Sequence, residues 1–299
     1  MLRLITIEQF GITKADEERV VKISLTNNNG MKIELLNYGA ILMSVLVPDR
    51  SDQFRDIALG FRTLQEYESD NHSIGAVIGR VAGYISNGKF AVDSREYELG
   101  LNAPPHHMNG GIRGSLSKKL WNYELLDEGN GVCFTCISHD GEGGYPGQVH
   151  LEVTYILTNE NEIVIDYRAS TDKSTILNVA NNAYFNLDGE VHFCNVTQAN
   201  FIQDQLLADD CQITDVASIS SGIRMTVSTT YPCLYLNMGS WLDRLDGKAN
   251  HVYDRYSAFT LQCRSLSNAI NQPHFPSIIL RPDELYQHLT VYQFGLDDE

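Results

Sequence analysis

Positive charge is scarce in this chain: 22 lysines and arginines stand against 38 aspartates and glutamates, a formal charge of −16. Such a surface repels phosphate backbones and anionic lipid, so it lacks the electrostatic footprint of a nucleic-acid or membrane-surface binder. Long apolar runs are missing too, and none reaches the roughly 18 residues of a membrane span. Met1 to Gly30 contains Glu8, Asp16, Glu17, Glu18 and Arg19 and lacks the basic start and apolar core of a secretory signal, so a cytoplasmic location is expected. Linkers, low-complexity tracts and internal repeats are absent, and a single domain over 1–299 is expected. With 43% apolar residues, disorder and collagen-like structure are excluded.

What the chain does contain is short period-two runs bounded by turn residues. Lys32 to Leu36 alternates, and Ala40 to Val47 is a buried-type run closed by Pro48-Asp49. Asn87-Gly88 suits the positive φ angles of a two-residue turn and predicts a hairpin between Tyr84–Ser86 and Lys89–Val92. Trp121–Leu126 with Val132–Ser138, and Val149–Leu157 with Ile163–Ala169, read as strand pairs, and Leu289–Phe294 as a last strand. The one helix candidate is Thr63–Ser69. Strands spaced this closely, with so little helix, predict an all-β sandwich or barrel.

The six cysteines include a CxxC at Cys133 and Cys136, inside a strand-like run and without a second CxxC. Reduced thiols are expected, with no metal and no other cofactor. The sequons Asn71-His-Ser73 and Asn195-Val-Thr197 are idle in a cytoplasmic protein. Three stretches have chemical potential. Pro104-Pro-His-His-Met-Asn-Gly-Gly111 offers His106 and His107 as acid, base or ligands, or is a surface turn. Ser138 to Gly147 gathers His139, Asp140 and Glu142, as a catalytic cluster or a wide connection. Asn181-Asn-Ala-Tyr-Phe-Asn186 supplies amides and aromatics able to bond a sugar, or to finish a strand end.

Together with Asn37-Tyr-Gly-Ala40, Asp56 to Gly60, Gly79-Arg-Val-Ala82, Gly144-Tyr-Pro-Gly147, Thr171-Asp-Lys173, Tyr184 to Leu187 and Ala269 to Ser277, these stretches resemble the aldose 1-epimerase, or galactose mutarotase, family in order along nearly the whole chain. The resemblance implies a galactose mutarotase-like β-supersandwich with a sugar cleft on one face. There a carboxylate takes the anomeric hydroxyl proton while a histidine protonates the ring oxygen.

The chain departs from that pattern at the site itself. Asn182 stands at the family's histidine acid and Gln262 at its glutamate base. Asn109 replaces the sugar-contacting histidine of a Leu-His-Gly-Gly motif, and Gly83-Tyr84 replaces an Asn-Arg pair. Tyr235 takes the place of a substrate-contacting glutamine, and between Asp210 and Met225 the chain is short of an aspartate-bearing segment. The resulting expectation is a pseudoenzyme with weak sugar affinity, because buried partners left unpaired typically cost about 1–3 kcal/mol each. A protein-binding or scaffold role follows, through a face containing Ile213, Val216, Ile219, Ile223 and Met225 with the neighbouring Tyr231 to Trp241 stretch. The alternatives are a lectin-like hexose binder that stacks sugar on Tyr84 and Tyr235, or an active epimerase using His106, His107 or Glu142.

Overall fold

Period-two side-chain alternation organises most of the chain into antiparallel sheet, as the burial of Val149–Leu157 shows, with every odd-numbered residue from Val149 inward. The computed structural model describes residues 4–112, 114–189, 205–206 and 212–297, with backbone alone at 205–206 and 212–213. Five consecutive strands, Leu4–Ile12, Arg19–Thr26, Lys32–Leu36, Ile41–Pro48 and Phe54–Asp56, form one sheet. A seven-stranded sheet runs Asn122–Leu125, Gly131–Ser138, Val149–Leu157, Glu162–Thr171, Tyr286–Leu296, Ile223–Thr229, Gln212–Ala217. Ile23, Ile33 and Val45 of the first sheet share one core with Phe134, Tyr155, Ile165 and Tyr292 of the second. A three-stranded sheet, Gln205–Leu206, Cys233–Asn237 and Thr260–Arg264, supplies part of the cleft described below.

The all-β class and most strand pairs expected from the sequence are present. The helix Leu64–Ser69 is also there, started by a capping box in which Thr63 and Glu66 bond each other's backbone amides. The Asn87-Gly88 hairpin is a correction. Both residues adopt positive φ, 54° and 63°, yet Tyr84–Ile85 pairs with His107–Met108 and Lys89–Val92 pairs with Arg95–Glu98. The turn between the latter two strands uses Asp93 and Ser94, at φ 49° and 63°. Turn chemistry fixes the local bend but not the partner, and Phe90 and Val92 find burial beside Tyr97, Leu99 and Tyr145. This re-pairing sets Tyr84 beside Met108 at the cleft.

A second correction concerns the shortened region. Gln212–Ala217 and Ile223–Thr229 form a hairpin on the seven-stranded sheet, and Val216, Ile223 and Met225 are buried in the main core. Ile219, at the turn, is 64% exposed. The side chain of Ile213 lies outside the described residues, as do Asp210 and the sequon at Asn195. Cys136 is buried and Cys133 partly so, and burial raises both thiols, that of Cys136 to about 12. Neither is a ready thiolate at neutral pH. Among the described residues no helix is long and apolar enough to cross a membrane.

His288 sits stacked on Tyr231, ring centroids 3.9 Å apart, and desolvation lowers its pKa from 6.5 to about 4. Below its unfolded pKa the unfolded chain binds a proton that the folded chain refuses until about pH 4. Stability therefore falls as pH drops from about 6.5 to about 4, by roughly 3 kcal/mol for this one group. Urea midpoints across that window should show wild type losing more stability on acidification than His288→Gln. Parallel curves would contradict the assignment.

Candidate functional site

An open cleft of about 890 Å³ lies where the chain from Asp70 to Ser73, the loop from Asn102 to Ser117 and the strand Thr260–Arg264 converge. Its floor is built from side chains that the sequence separates widely. Asn182 follows the short bridge Ala180–Asn181, its backbone held by Ala76 and Gly75. Gln262 is central in its strand and lies opposite Tyr235. The Gln262 Nε2 donates to Asn182 Oδ1 at 2.6 Å.

The rest of the network fixes which way each amide points. Asn182 Nδ2 donates to the carbonyls of His72 (2.8 Å) and Ser73 (3.0 Å), so only its oxygen can face Gln262. Gln262 Oε1 in turn accepts from Arg264 Nε at 3.3 Å. The Arg264 guanidinium also bonds Ser265 O and Ser267 Oγ and lies 4.6 Å over the Tyr235 ring. Tyr235 therefore has one face covered by a cation, which limits the sugar-stacking role expected of it.

Arg264 also explains Gly83. A side chain there would meet Ser267 Oγ at 2.6 Å and Arg264 Nη1 at 3.0 Å, on a backbone at φ +86°. The guanidinium and hydroxyl fill the space that any side chain at position 83 would need, so Gly83 and Arg264 fit one another. Asn109 is used the same way. Its Oδ1 accepts from Gly83 N at 2.9 Å, and its own N–H donates to Gly83 O at 2.9 Å, tying the loop to the cleft wall.

Aromatic rings close the cleft at separated points. Trp241 stacks on His72 with centroids 3.6 Å apart and donates Nε1–H to Tyr184 Oη at 3.0 Å. Tyr84, half-buried, lies 5.0 Å from the His106 ring. Tyr38 is pushed up to about 12 by burial and by Glu68 and Asp70, which keeps it a neutral hydroxyl. Burial lowers His72, so its ring is predominantly neutral at pH 7. Lys118 Nζ is tied to the carbonyls of Tyr67, Glu68 and Asp70.

Sequence reasoning brought together Gly83, Tyr84, Asn109, Asn182, Tyr235 and Gln262, and all six line this cleft. His106, His107 and Glu142 are not among its lining residues. His107 is buried between Gly100 O (2.6 Å) and Tyr145 Oη (2.8 Å), and burial lowers its pKa. Glu142 accepts from Ser138 and His139 and pairs with Lys119 at 2.5 Å, fastening its own loop. His72, Trp241 and Arg264 were not singled out as cleft residues. An arginine two residues after Gln262, at the end of the alternating stretch Phe259 to Cys263, was the available signal for Arg264. Among the described residues no group of three His, Cys, Asp or Glu side chains could hold a metal ion.

A family model described as aldose 1-epimerase matches residues 21–219 and 196–293. The chain is 31% identical to the galactose mutarotase of Sus scrofa, over 98% of this chain and 99% of that relative. It is 32% identical to that of Rattus norvegicus with the same coverage, and 28% identical to the aldose 1-epimerase of Escherichia coli over 91% and 94%. Among solved structures, a GalM/aldose epimerase homologue from C. elegans superposes with a TM-score of 0.84 at 26% identity, over 93% of this chain and 99% of that one. A galactose 1-epimerase from Lactobacillus acidophilus superposes at 0.81 with 22% identity, over 99% and 100%, and shares the fold.

Proposed function

The chain belongs to the aldose 1-epimerase family, and we propose that it is a non-catalytic member whose cleft binds a hexose-type sugar without interconverting its anomers. One observation carries the reading: Asn182 and Gln262, at the positions that resemble the family's acid and base, are carboxamides bonded to each other at 2.6 Å. Ring opening needs one proton removed from the anomeric hydroxyl and one delivered to the ring oxygen. An amide does neither near neutral pH, and a positioned acid or base each contributes about 10²- to 10⁴-fold. Losing both removes roughly 10⁴ to 10⁸.

Binding is supported by the cleft being open and lined by amides, hydroxyls and aromatic rings, the groups that pair with a sugar's hydroxyls and its apolar face. Polarimetry on freshly dissolved α-galactose should show decay at the buffer rate, and acceleration by the wild-type chain would overturn the reading. The double variant Asn182→His with Gln262→Glu should also stay at the buffer rate. Its new carboxylate would lie against Arg264, which holds a carboxyl below its usual range and makes it a poor base.

A second reading, a protein-binding or scaffold role through the turn at Ile219, draws on the 64% exposure of that side chain. It predicts a partner whose capture depends on Ile219 and not on the cleft.

A further inference from the structure

The mouth of the cleft is not as polar as its floor. Leu101, Met108 and Ile112 are 48%, 37% and 81% exposed, and Met108 and Ile112 line the cleft together with Tyr84 and Ala103. Their loop is tightly held. Asn102 exchanges two hydrogen bonds with the Met108 backbone at 3.0 and 2.7 Å, Gly111 N donates to Met108 O at 2.9 Å, and Asn109 is tied to Gly83. The loop thus displays Met108 and Ile112 at the cleft, among the amides of Asn102 and Asn109 and the hydroxyls of Ser115 and Ser117. Exposed apolar side chains lining a cleft mark a contact for an apolar group.

We infer that the ligand is a glycoside: the sugar occupies the Asn182–Gln262 floor, and an apolar aglycone lies over Tyr84, Met108 and Ile112. This rests on the reading that the cleft binds sugar without turning it over, and it goes further. A cleft of about 890 Å³ is near the upper end of the range for small-molecule sites, with room beyond one hexose ring. A glycoside has its anomeric oxygen locked in an acetal, so it has no anomeric hydroxyl proton to remove, and a site with amides at the acid and base positions loses nothing by binding it.

The test is calorimetric titration of the full chain with galactose, glucose and their methyl, phenyl and n-hexyl β-glycosides. In at least one sugar series the phenyl or n-hexyl glycoside should bind at least tenfold tighter than the methyl glycoside, from the apolar area removed from water. The phenyl and hexyl arms separate stacking on Tyr84 from general apolar contact, and a gain in either supports the inference. Met108→Ser with Ile112→Ser should cut that preference at least threefold, and both side chains are exposed enough for thermal melting to confirm folding. Equal affinity for methyl and longer glycosides, or a preference the double variant leaves intact, overturns the inference. Free hexose binding with no glycoside binding overturns it while sparing the proposed function; no binding by any of these probes removes both.

Discussion

Arg80→Met should destabilise the fold by about 3 kcal/mol or more, lowering the melting temperature by roughly 6 °C or more. Arg80 is fully buried, and its guanidinium donates to Ser138 Oγ, Gly147 O, Pro146 O and Thr175 Oγ1 at 2.6 to 3.1 Å. Burial pulls its pKa down to about 10, so it is still charged at neutral pH. Methionine keeps most of the stem's volume but none of the donors, so the buried Gly147 carbonyl loses its guanidinium donor and Pro146 O is left with Thr175 Oγ1. The loss is local to the cleft as well. Arg80 O and Ala82 N both bond Asn178, and that backbone leads directly to Gly83 and Tyr84. Sugar affinity should therefore fall along with stability. A variant as stable as wild type would show that the network contributes nothing net.

Ile223→Asp should be the most damaging substitution in the hairpin, and Ile219→Asp among the mildest. Ile223 is fully buried in the main core, between strands 212–217 and 286–296. An aspartate there would sit among the apolar side chains of the main core and either stays ionised without solvent or folds only when protonated, a cost of about 4 kcal/mol or more. Ile219 is 64% exposed at the turn, where its carbonyl accepts from Arg50 at 2.8 Å, and its side chain contributes within about 0.5 kcal/mol. Denaturant midpoints of the two variants measure the difference directly. The pair also separates structure from recognition, because a partner lost with Ile219→Asp at unchanged stability would be a docking effect. Loss with Ile223→Asp alone would report unfolding.

Strand positions were legible because one buried face per sheet forces alternation, as in Lys32–Leu36 and Val149–Leu157. The helix start has an equally local cause, the capping box of Thr63 and Glu66 that the structure shows. Pairing was less legible. Asn87-Gly88 encodes a bend, whereas the partner of Tyr84–Ile85 is chosen by packing against the loop at His107. The same limit applies to the site. Individual departures at 83, 84, 109, 182, 235 and 262 were visible in the sequence, but their mutual fit was not. The Asn182–Gln262 bond spans 80 positions, and the place of Arg264 against Gly83 and Tyr235 depends on two strands meeting the bend at Gly83. The His72–Trp241 stack joins residues with no shared motif. The fate of the shortened region was also decided by tertiary burial, which turned Val216, Ile223 and Met225 inward.

The account's central claim is that the cleft holds a sugar and leaves its anomers alone, and NMR on one sample of galactose with the protein tests both halves. Saturation transferred from protein to the sugar protons reports binding, while magnetisation exchange between the α and β anomeric protons reports interconversion. The expected result is clear saturation transfer with an exchange rate equal to that in buffer. Accelerated exchange, or the absence of any transfer, would contradict it.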